Sequence, residues 1–185
     1  MEFRVLGPLE VVHDGHAVPV RGSRRRLLLA TLLVHRNLVV TVDRLVDVLF
    51  ADDPPGRAVS TVQSYVSRLR RDLGDGAAPL QTRPGGYVLV VDADNVDAVR
   101  FERQVSEAAA AFASDATRAA DLIDEALTWW RGPAFAEFAD DLSLSAERTR
   151  LDEVLQRAFE VLVDARLTLD DSVSALNVLN QCITD

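Results

Sequence analysis

Residues 57–73 read RAVSTVQSYVSRLRRDL, and this stretch decides the fold predicted for the first half of the chain. A helix turns by about 100° per residue, so apolar residues at helical spacing line up on one side. Five residues form such a stripe, which must be buried: Val59, Val62, Val66, Leu69 and Leu73. The sequence therefore predicts an amphipathic helix over Arg57–Leu73.

The face opposite this stripe carries cations and short hydroxyls but no carboxylate, because Asp72 falls to one side. Small polar groups let a helix lie close to a nucleic-acid groove, and arginine reaches phosphates or guanine edges. A solvated helix face is the plainer interpretation, and the flanking sequence has to decide between the two. The candidate DNA-binding residues on this helix are Arg57, Ser60, Thr61, Ser64, Ser67, Arg68 and Arg71.

A run of three arginines, residues 24–26, lies at the start of another predicted helix, Arg24–His35, for which Ser23 is the expected N-cap. The positive end of a helix dipole disfavours cations, so three of them indicate an anion nearby, such as a DNA phosphate. A solvated charge run is the alternative. Arg24 and Arg25 are therefore candidates for contact with the DNA backbone.

Three short strands are predicted at the start of the chain: Phe3–Leu6, Leu9–His13 and His16–Val20. Asp14-Gly15 favours a tight hairpin between the last two, because both positions of a type I′ turn need a positive φ. Thr41 then caps a helix over Val42–Phe50, and the stretch Asp52–Gly56, with its two prolines, ends that helix.

Two further strands, Leu80–Arg83 and Tyr87–Val91, follow the basic helix and are joined by Pro84-Gly85-Gly86. A helix-turn-helix whose second helix enters the major groove, followed by a hairpin that touches the adjacent minor groove, accounts for this order. Arg83 then lies near the tip of the hairpin, where a guanidinium can enter a narrow minor groove. A surface arginine that steadies the turn is the alternative.

The charge differs between the two halves of the 185-residue chain, whose net charge is −9. Residues 1–92 contain 12 arginines and 10 acidic residues, whereas residues 93–185 contain 8 arginines and 19 acidic residues. Such an asymmetry indicates two modules with different partners. We therefore expect a winged-helix DNA-binding domain over residues 1–92 and a helical domain over residues 93–185.

Four amphipathic helices are predicted in the second half: Asn95–Phe112, Ala116–Arg131, Leu144–Leu169 and Ser172–Thr184. Helix pairs rich in Ala and Leu, with aromatic anchors, indicate tetratricopeptide-like stacking. The predicted fold class is mainly α with small β-sheets: an N-terminal winged helix-turn-helix followed by an all-α, tetratricopeptide-like domain.

The composition argues against several other classes of protein. Cys182 is the single cysteine, so an intrachain disulfide is impossible, and no apolar run approaches the roughly 18 residues that span a membrane. The sequence offers no Ser-His-Asp arrangement, Walker-type glycine loop or zinc-ligand spacing. We expect a cytoplasmic, nucleoid-associated protein with no catalytic residue, cofactor or metal.

Four motifs of the first half are specific in combination: LGPLEV (6–11), VDRLVDVLFADDPP (42–55), TVQSYVSRLRRDLG (61–74) and TRPGGYVL (82–89). Together they resemble the winged helix of OmpR-like response regulators. More closely, they resemble that of the streptomycete antibiotic regulatory protein (SARP) family of transcriptional activators. Three motifs of the second half resemble the activation domain that follows the winged helix in that family: DAVRFE (97–102), ALTWWRGPAF (126–135) and LDEVLQR (151–157).

The resemblance implies a sequence-specific activator that binds direct repeats of double-stranded DNA upstream of biosynthetic genes, above all those of secondary metabolism. It also implies that the protein binds as a head-to-tail pair and recruits RNA polymerase holoenzyme. A protein-interaction adaptor that uses the tetratricopeptide-like domain is the alternative, and the carboxylate-free face of the basic helix argues against it.

Two features depart from the family pattern. Phe50-Ala51 stands where the family commonly has Trp-Gly, which we interpret as a tolerated core change. The family's helical domain usually continues beyond the position of Asp185, so we expect the helical domain to be truncated here.

Overall fold

The computed structural model describes residues 1–51, 53–74 and 79–184, so Asp52 in the predicted helix stop and the terminal Asp185 lie outside the described residues. The described elements are a three-stranded sheet, three helices, a second small sheet and four further helices. This order confirms the predicted class, a winged helix followed by a helical domain. Among the described helices, none is both long enough and apolar enough to cross a membrane.

The first sheet contains β1 (Glu2–Arg4), β2 (Glu10–His13) and β3 (His16–Ala17), paired antiparallel in that order. Asp14 has φ 49° and Gly15 has φ 76°, so both positions of the predicted hairpin turn have a positive φ. β3 ends before the predicted Val20, although the Val18 N–H still donates to the Val11 carbonyl at 2.8 Å. The hairpin prediction is therefore confirmed.

Three helices follow: α1 (Ser23–Val34), α2 (Val42–Phe50) and α3 (Ala58–Leu73). Thr41 caps α2 as predicted, because its hydroxyl accepts a hydrogen bond from the Arg44 N–H at 3.3 Å. The N-cap role predicted for Ser23 is wrong. Ser23 is already helical, and Gly22, with φ 84°, occupies the cap position without any side-chain hydrogen bond.

The apolar stripe of α3 is buried along most of its length against α1 and α2. Val62, Val66, Leu69 and Leu73 are buried, and each such side chain contributes roughly 1.5–3 kcal/mol when it leaves water. Val59 is 48% exposed, so its predicted burial is wrong. The residues just before α3 are exposed as well, which means that the first turn of α3 projects beyond the core.

The second sheet contains β4 (Val40–Thr41), β6 (Gly86–Leu89) and β5 (Leu80–Arg83), in that spatial order. The hairpin of β5 and β6, hereafter the wing, was predicted. The two-residue β4 was missed because it is too short to show alternation. Asn37 secures the end of the wing: its side-chain amide donates to the Val91 carbonyl at 2.9 Å and its oxygen accepts from the Val91 N–H at 3.0 Å.

The second half consists of α4 (Asp97–Ala111), α5 (Ala116–Leu127), α6 (Ser145–Thr168) and α7 (Ser172–Thr184). Each helix packs on the next, and α4 also contacts α6, which is the stacking predicted for a tetratricopeptide-like domain. α5 ends before the predicted Arg131, so Trp129 and Trp130 follow the helix. The Trp130 ring lies 5.3 Å from that of Phe101, between centroids, and joins this turn to α4.

The main chain of residues 5–7 joins the two halves and is hereafter called the junction. The Val5 and Leu6 N–H groups donate to the two carboxylate oxygens of Asp97, at 2.8 and 3.2 Å. On their other side, the Val5 and Leu6 carbonyls accept from the N–H groups of Phe135 and Arg131, at 2.9 and 2.8 Å. The first-half motif LGPLEV and the second-half motif WRGPAF are thus hydrogen-bonded to each other.

Asp97 is 3% exposed, and a buried carboxylate is stable only when donors surround it. Burial raises the pKa of Asp97, whereas the N–H groups of Val5, Leu6 and Ala98 and the Arg131 guanidinium, 3.5 Å away, act to lower it. In the sequence, Asp97 is recognisable only as part of the motif DAVRFE. Its structural role depends on residues more than 90 positions away.

A second contact joins α1 to the helical half. Arg26 donates through Nε to a carboxylate oxygen of Glu137 at 2.6 Å, and the other oxygen accepts from the Leu9 N–H at 2.6 Å. The arginine run predicted an anion nearby. For Arg26, that anion is a carboxylate of the protein itself.

We expect Asp97→Ala to lower the free energy of unfolding by about 3 kcal/mol, because each buried donor left unpaired costs roughly 1–3 kcal/mol. Urea titration followed by circular dichroism measures this change. Asp94→Ala is the matched control, since the Asp94 side chain is 73% exposed. Equal stability of the two variants would contradict the role assigned to the junction.

Candidate DNA-binding surface

The polar face predicted on α3 is exposed, in a helix whose residues are all described. Thr61 is half-buried and the others are exposed: Arg57, Ser60, Ser64, Ser67, Arg68 and Arg71. Arg57 precedes the helix as its N-cap residue and makes no side-chain cap bond. The exposed part of α3 therefore combines cations and hydroxyls, as predicted.

The hydroxyls on this face lie close to the helix backbone. Ser60 and Thr61 donate to the Arg57 carbonyl at 2.9 and 3.0 Å, and Ser64 donates to the Ser60 carbonyl at 3.0 Å. The protons of these three hydroxyls are thereby used within the helix, while their oxygens can still accept a hydrogen bond. These short side chains extend little beyond the helix backbone, so a nucleic-acid backbone can approach α3 between the longer arginines.

The last turn of α3 contains two arginines that face different ways. Arg71 is exposed, and a cation here is favoured by the negative end of the helix dipole. Arg70 is half-buried and contacts the wing: its Nε donates to the Leu80 carbonyl at 2.9 Å and its Nη2 donates to the Thr82 hydroxyl at 2.8 Å. The sequence pattern alone assigns Arg70 no role, because it places this residue between the buried and exposed faces of the helix.

Arg83 lies at the tip of the wing, as predicted from the sequence. It pairs with Gly86 across a two-residue loop, in which Gly85 has φ 79°. Arg83 is exposed and donates to the Thr82 carbonyl at 3.3 Å and to the Gln81 side-chain oxygen. A role for Arg83 in DNA contact stays a prediction.

The wing approaches β4 closely at Gly86. A Cβ added to this residue would lie 2.0 Å from the Val40 carbonyl oxygen, which no side chain tolerates. Gly86 therefore allows β6 to pair with β4 immediately before α2 begins at Val42.

The two arginines predicted to contact the DNA backbone differ in their surroundings. Arg24 is exposed, with its guanidinium carbon 5.6 Å from the centroid of the Phe50 ring, which in turn stacks on Tyr65 at 6.4 Å. Arg25 forms an ion pair with Asp72 at 2.6 Å, and the two side chains are 18% and 20% exposed. Arg24 is thus accessible to a phosphate, whereas Arg25 already has a carboxylate partner inside the fold.

The aromatic contacts of Phe50 explain how the first departure from the family pattern is accommodated. Phe50 is half-buried, and its ring fills the space between Arg24 and Tyr65. Ala51 has φ 49°, a left-handed conformation that the family's glycine adopts without strain. The Trp-to-Phe change therefore fits the core. Ala51, by contrast, is held at a φ that is unfavourable for alanine.

Two family models match the chain in succession. The model described as "Transcriptional regulatory protein, C terminal" matches residues 19–89, and the model described as "Bacterial transcriptional activator domain" matches residues 96–185. The first match contains α1–α3 and the wing, and the second contains α4–α7.

Similar proteins support the same assignment. Transcriptional regulator RedD from Streptomyces coelicolor is 30% identical over 189 residues, which cover 99% of this chain and 54% of RedD. Regulatory protein DnrI from Streptomyces peucetius is 30% identical over 179 residues, covering 91% of this chain and 66% of DnrI. A solved structure of Mycobacterium tuberculosis EmbR in complex with a low affinity phosphopeptide has a TM-score of 0.77 and 27% identity, over 97% of this chain and 58% of that chain.

The winged helix, the stacked helices and the two matched models define a transcriptional regulator with a helical activator domain. The chain spans about half the length of RedD. It belongs to the streptomycete antibiotic regulatory protein family, as the sequence motifs had implied.

In the described part of the chain, no three His, Cys, Asp or Glu side chains lie close enough together to hold a metal ion.

We expect Gly86→Ala to lower the midpoint of thermal unfolding by several degrees, because overpacking of this kind costs about 1–3 kcal/mol. The added methyl group must push β4 away from β6. Gly56→Ala is the control, since a Cβ there meets no described atom within 4 Å. An unchanged midpoint for Gly86→Ala would show that β4 and β6 are not held as closely as described.

Proposed function

We propose that this regulator binds double-stranded DNA, with α3 as its recognition helix in the major groove and Arg83 in the adjacent minor groove. The observation that carries the proposal is the exposed, carboxylate-free face of α3, in a helix whose Arg70 hydrogen-bonds to Thr82, the residue before the exposed Arg83 at the wing tip. Local arginines govern phosphate binding, so the net charge of −9 on the whole chain does not oppose it.

Within this proposal the exposed residues take different parts. Arg68 and Arg71 are long enough to reach base edges or phosphates, while the α3 hydroxyls and Arg57 contact the backbone that borders the groove. Arg24 approaches a neighbouring phosphate from the start of α1. Arg25 contacts DNA only if it leaves Asp72.

We propose direct repeats as the target, bound by two molecules arranged head to tail. A head-to-tail arrangement places different surfaces of two copies in contact and matches sites repeated in one direction. The family resemblance favours promoters of biosynthetic genes, above all those of secondary metabolism. The protein then acts on nucleoid DNA in the cytoplasm.

We further propose that the acidic helical half contacts RNA polymerase holoenzyme. Two observations support this assignment: the family model for a bacterial transcriptional activator domain matches residues 96–185, and the junction hydrogen-bonds this half to the winged helix. A partner bound to α4–α7 is thereby held in a defined position relative to the DNA.

We expect Arg68→Ala to weaken specific DNA binding by about tenfold and to reduce the salt dependence by about one phosphate contact. Fluorescence anisotropy with a GC-rich promoter fragment containing direct repeats, at two salt concentrations and with competitor DNA, measures both. Arg103→Ala, which removes an exposed arginine of the helical half, is the control. Unchanged affinity of Arg68→Ala with a native circular dichroism spectrum would contradict the assignment of α3.

The same proteins test polymerase recruitment. Run-off transcription from this fragment by purified holoenzyme should rise with the wild-type chain and with Arg103→Ala, but not with Arg68→Ala. DNA binding without any rise in transcription would leave the recognition helix in place and refute the polymerase partner.

The ion pair between Arg25 and Asp72 allows a test in which a substitution should strengthen DNA binding instead of weakening it. Asp72→Asn removes a negative charge from the last turn of α3 and frees Arg25, so DNA should bind more tightly and with a salt slope steeper by about one. Asp140→Asn makes the same charge change at an exposed position of the helical half and serves as the control. If both variants give the wild-type slope, Arg25 does not contact DNA.

A further inference from the structure

Arg70 connects α3 to the wing, although both of its basic neighbours on the helix, Arg68 and Arg71, point to solvent. Its Nε donates to the Leu80 carbonyl at 2.9 Å and its Nη2 donates to the Thr82 hydroxyl at 2.8 Å. Both acceptors are on β5. One side chain of the recognition helix thus holds the first strand of the wing at two points.

The same guanidinium also reaches the second strand. Its central carbon lies 5.9 Å from the centroid of the Tyr87 ring, within the range of a cation–π interaction. Tyr87 is on β6 and is paired with Thr82 in the antiparallel register. Arg70 therefore contacts both strands at one level of the hairpin.

The chemistry of arginine suits this role. Its guanidinium is planar, with donors at fixed angles, so two hydrogen bonds to different groups set an orientation as well as a distance. A lysine ammonium is a point charge on a flexible stem and cannot fix the same geometry. Arg70 consequently constrains the angle between α3 and the wing.

Because Thr82 lies next to the tip of the wing, the hydrogen bond from Arg70 also constrains the tip. Thr82 precedes Arg83, which pairs with Gly86 at the end of the hairpin. Other attachments join the wing to different elements. Near the tip, Gly86 pairs with Thr41 of β4, and the Gly85 carbonyl accepts from the Val42 N–H of α2 at 3.1 Å. Further along, Tyr87 pairs with Val40 and Val91 bonds to Asn37 after α1. The Arg70 hydrogen bonds run directly from the recognition helix to the wing.

We infer that Arg70 is a positioning residue that fixes the wing tip relative to the recognition helix. The inference rests on the proposed DNA-binding function and deepens it. With the angle fixed, the exposed arginines of α3 and Arg83 are set to reach adjacent grooves of one duplex together. Arg70 acts through the wing and does not itself contact DNA.

The first test uses the full chain without DNA. Arg70→Met keeps an unbranched side chain out to about the position of Nε but removes the guanidinium with its donors and charge, and Arg68→Met is the matched control on the same helix. Amide hydrogen exchange of β5 and β6 should rise about tenfold in Arg70→Met and stay at the wild-type rate in Arg68→Met. Unchanged α1 protection shows that the fold is retained. Unchanged wing exchange in Arg70→Met overturns the inference, whether or not the protein binds DNA.

The second test is a double-mutant cycle on DNA affinity, with the promoter fragment described above. Arg83→Ala should weaken binding about tenfold in the wild-type chain but less than about threefold in the Arg70→Met chain, because a displaced tip has little contact left to lose. Arg70→Lys should give an intermediate coupling. An equal effect of Arg83→Ala in both chains refutes the positioning role.

The two tests separate this inference from the proposed function. If the wild-type chain shows no specific binding while Arg70→Met raises wing exchange, the DNA-binding proposal is wrong and the control of wing position by Arg70 stands. If the wild-type chain binds and the two mutations act independently, DNA binding stands and the positioning role is wrong.

Discussion

The N–H groups of Val5 and Leu6 donate to the buried carboxylate of Asp97, and the arrangement of the whole chain depends on this interaction. A buried N–H without an acceptor is costly, and so is a buried carboxylate without donors. The first half supplies the N–H donors and the helical half supplies the carboxylate that accepts from them. The carbonyls of the same two residues are satisfied from the loop after α5, so the junction is bonded on both sides to the helical half.

This junction gives the winged helix a fixed neighbour. Arg26 of α1 pairs with Glu137, and α1 packs directly on α3, so α3 is two contacts away from the helical half. Under the proposed function, these contacts relate the position of bound DNA to that of a partner on the helical half. The acidic half is already attached to the element that α3 packs against.

The arginines of the first half serve two purposes that composition cannot distinguish. Arg25, Arg26 and Arg70 make internal contacts with Asp72, Glu137 and the wing, respectively. Arg24, Arg68, Arg71 and Arg83 are exposed. Apart from Val59 and the half-buried Thr61, the helical pattern predicted which side chains of α3 are exposed, because burial of the apolar stripe fixes which residues face outward. It could not predict the internal partners, which lie up to 111 positions away in the sequence.

The sequence by itself determined the class of fold, the order of the elements, the hairpin at Asp14-Gly15, the Thr41 cap and the family, because each depends on local periodicity, turn chemistry or a contiguous motif. Only the tertiary structure decided that Val59 is exposed, that β4 joins the wing and that Gly22 occupies the cap position expected for Ser23. It also decided the roles of Asp97 and Arg70. These features depend on which distant groups meet, and a local pattern carries no information about a partner on another element.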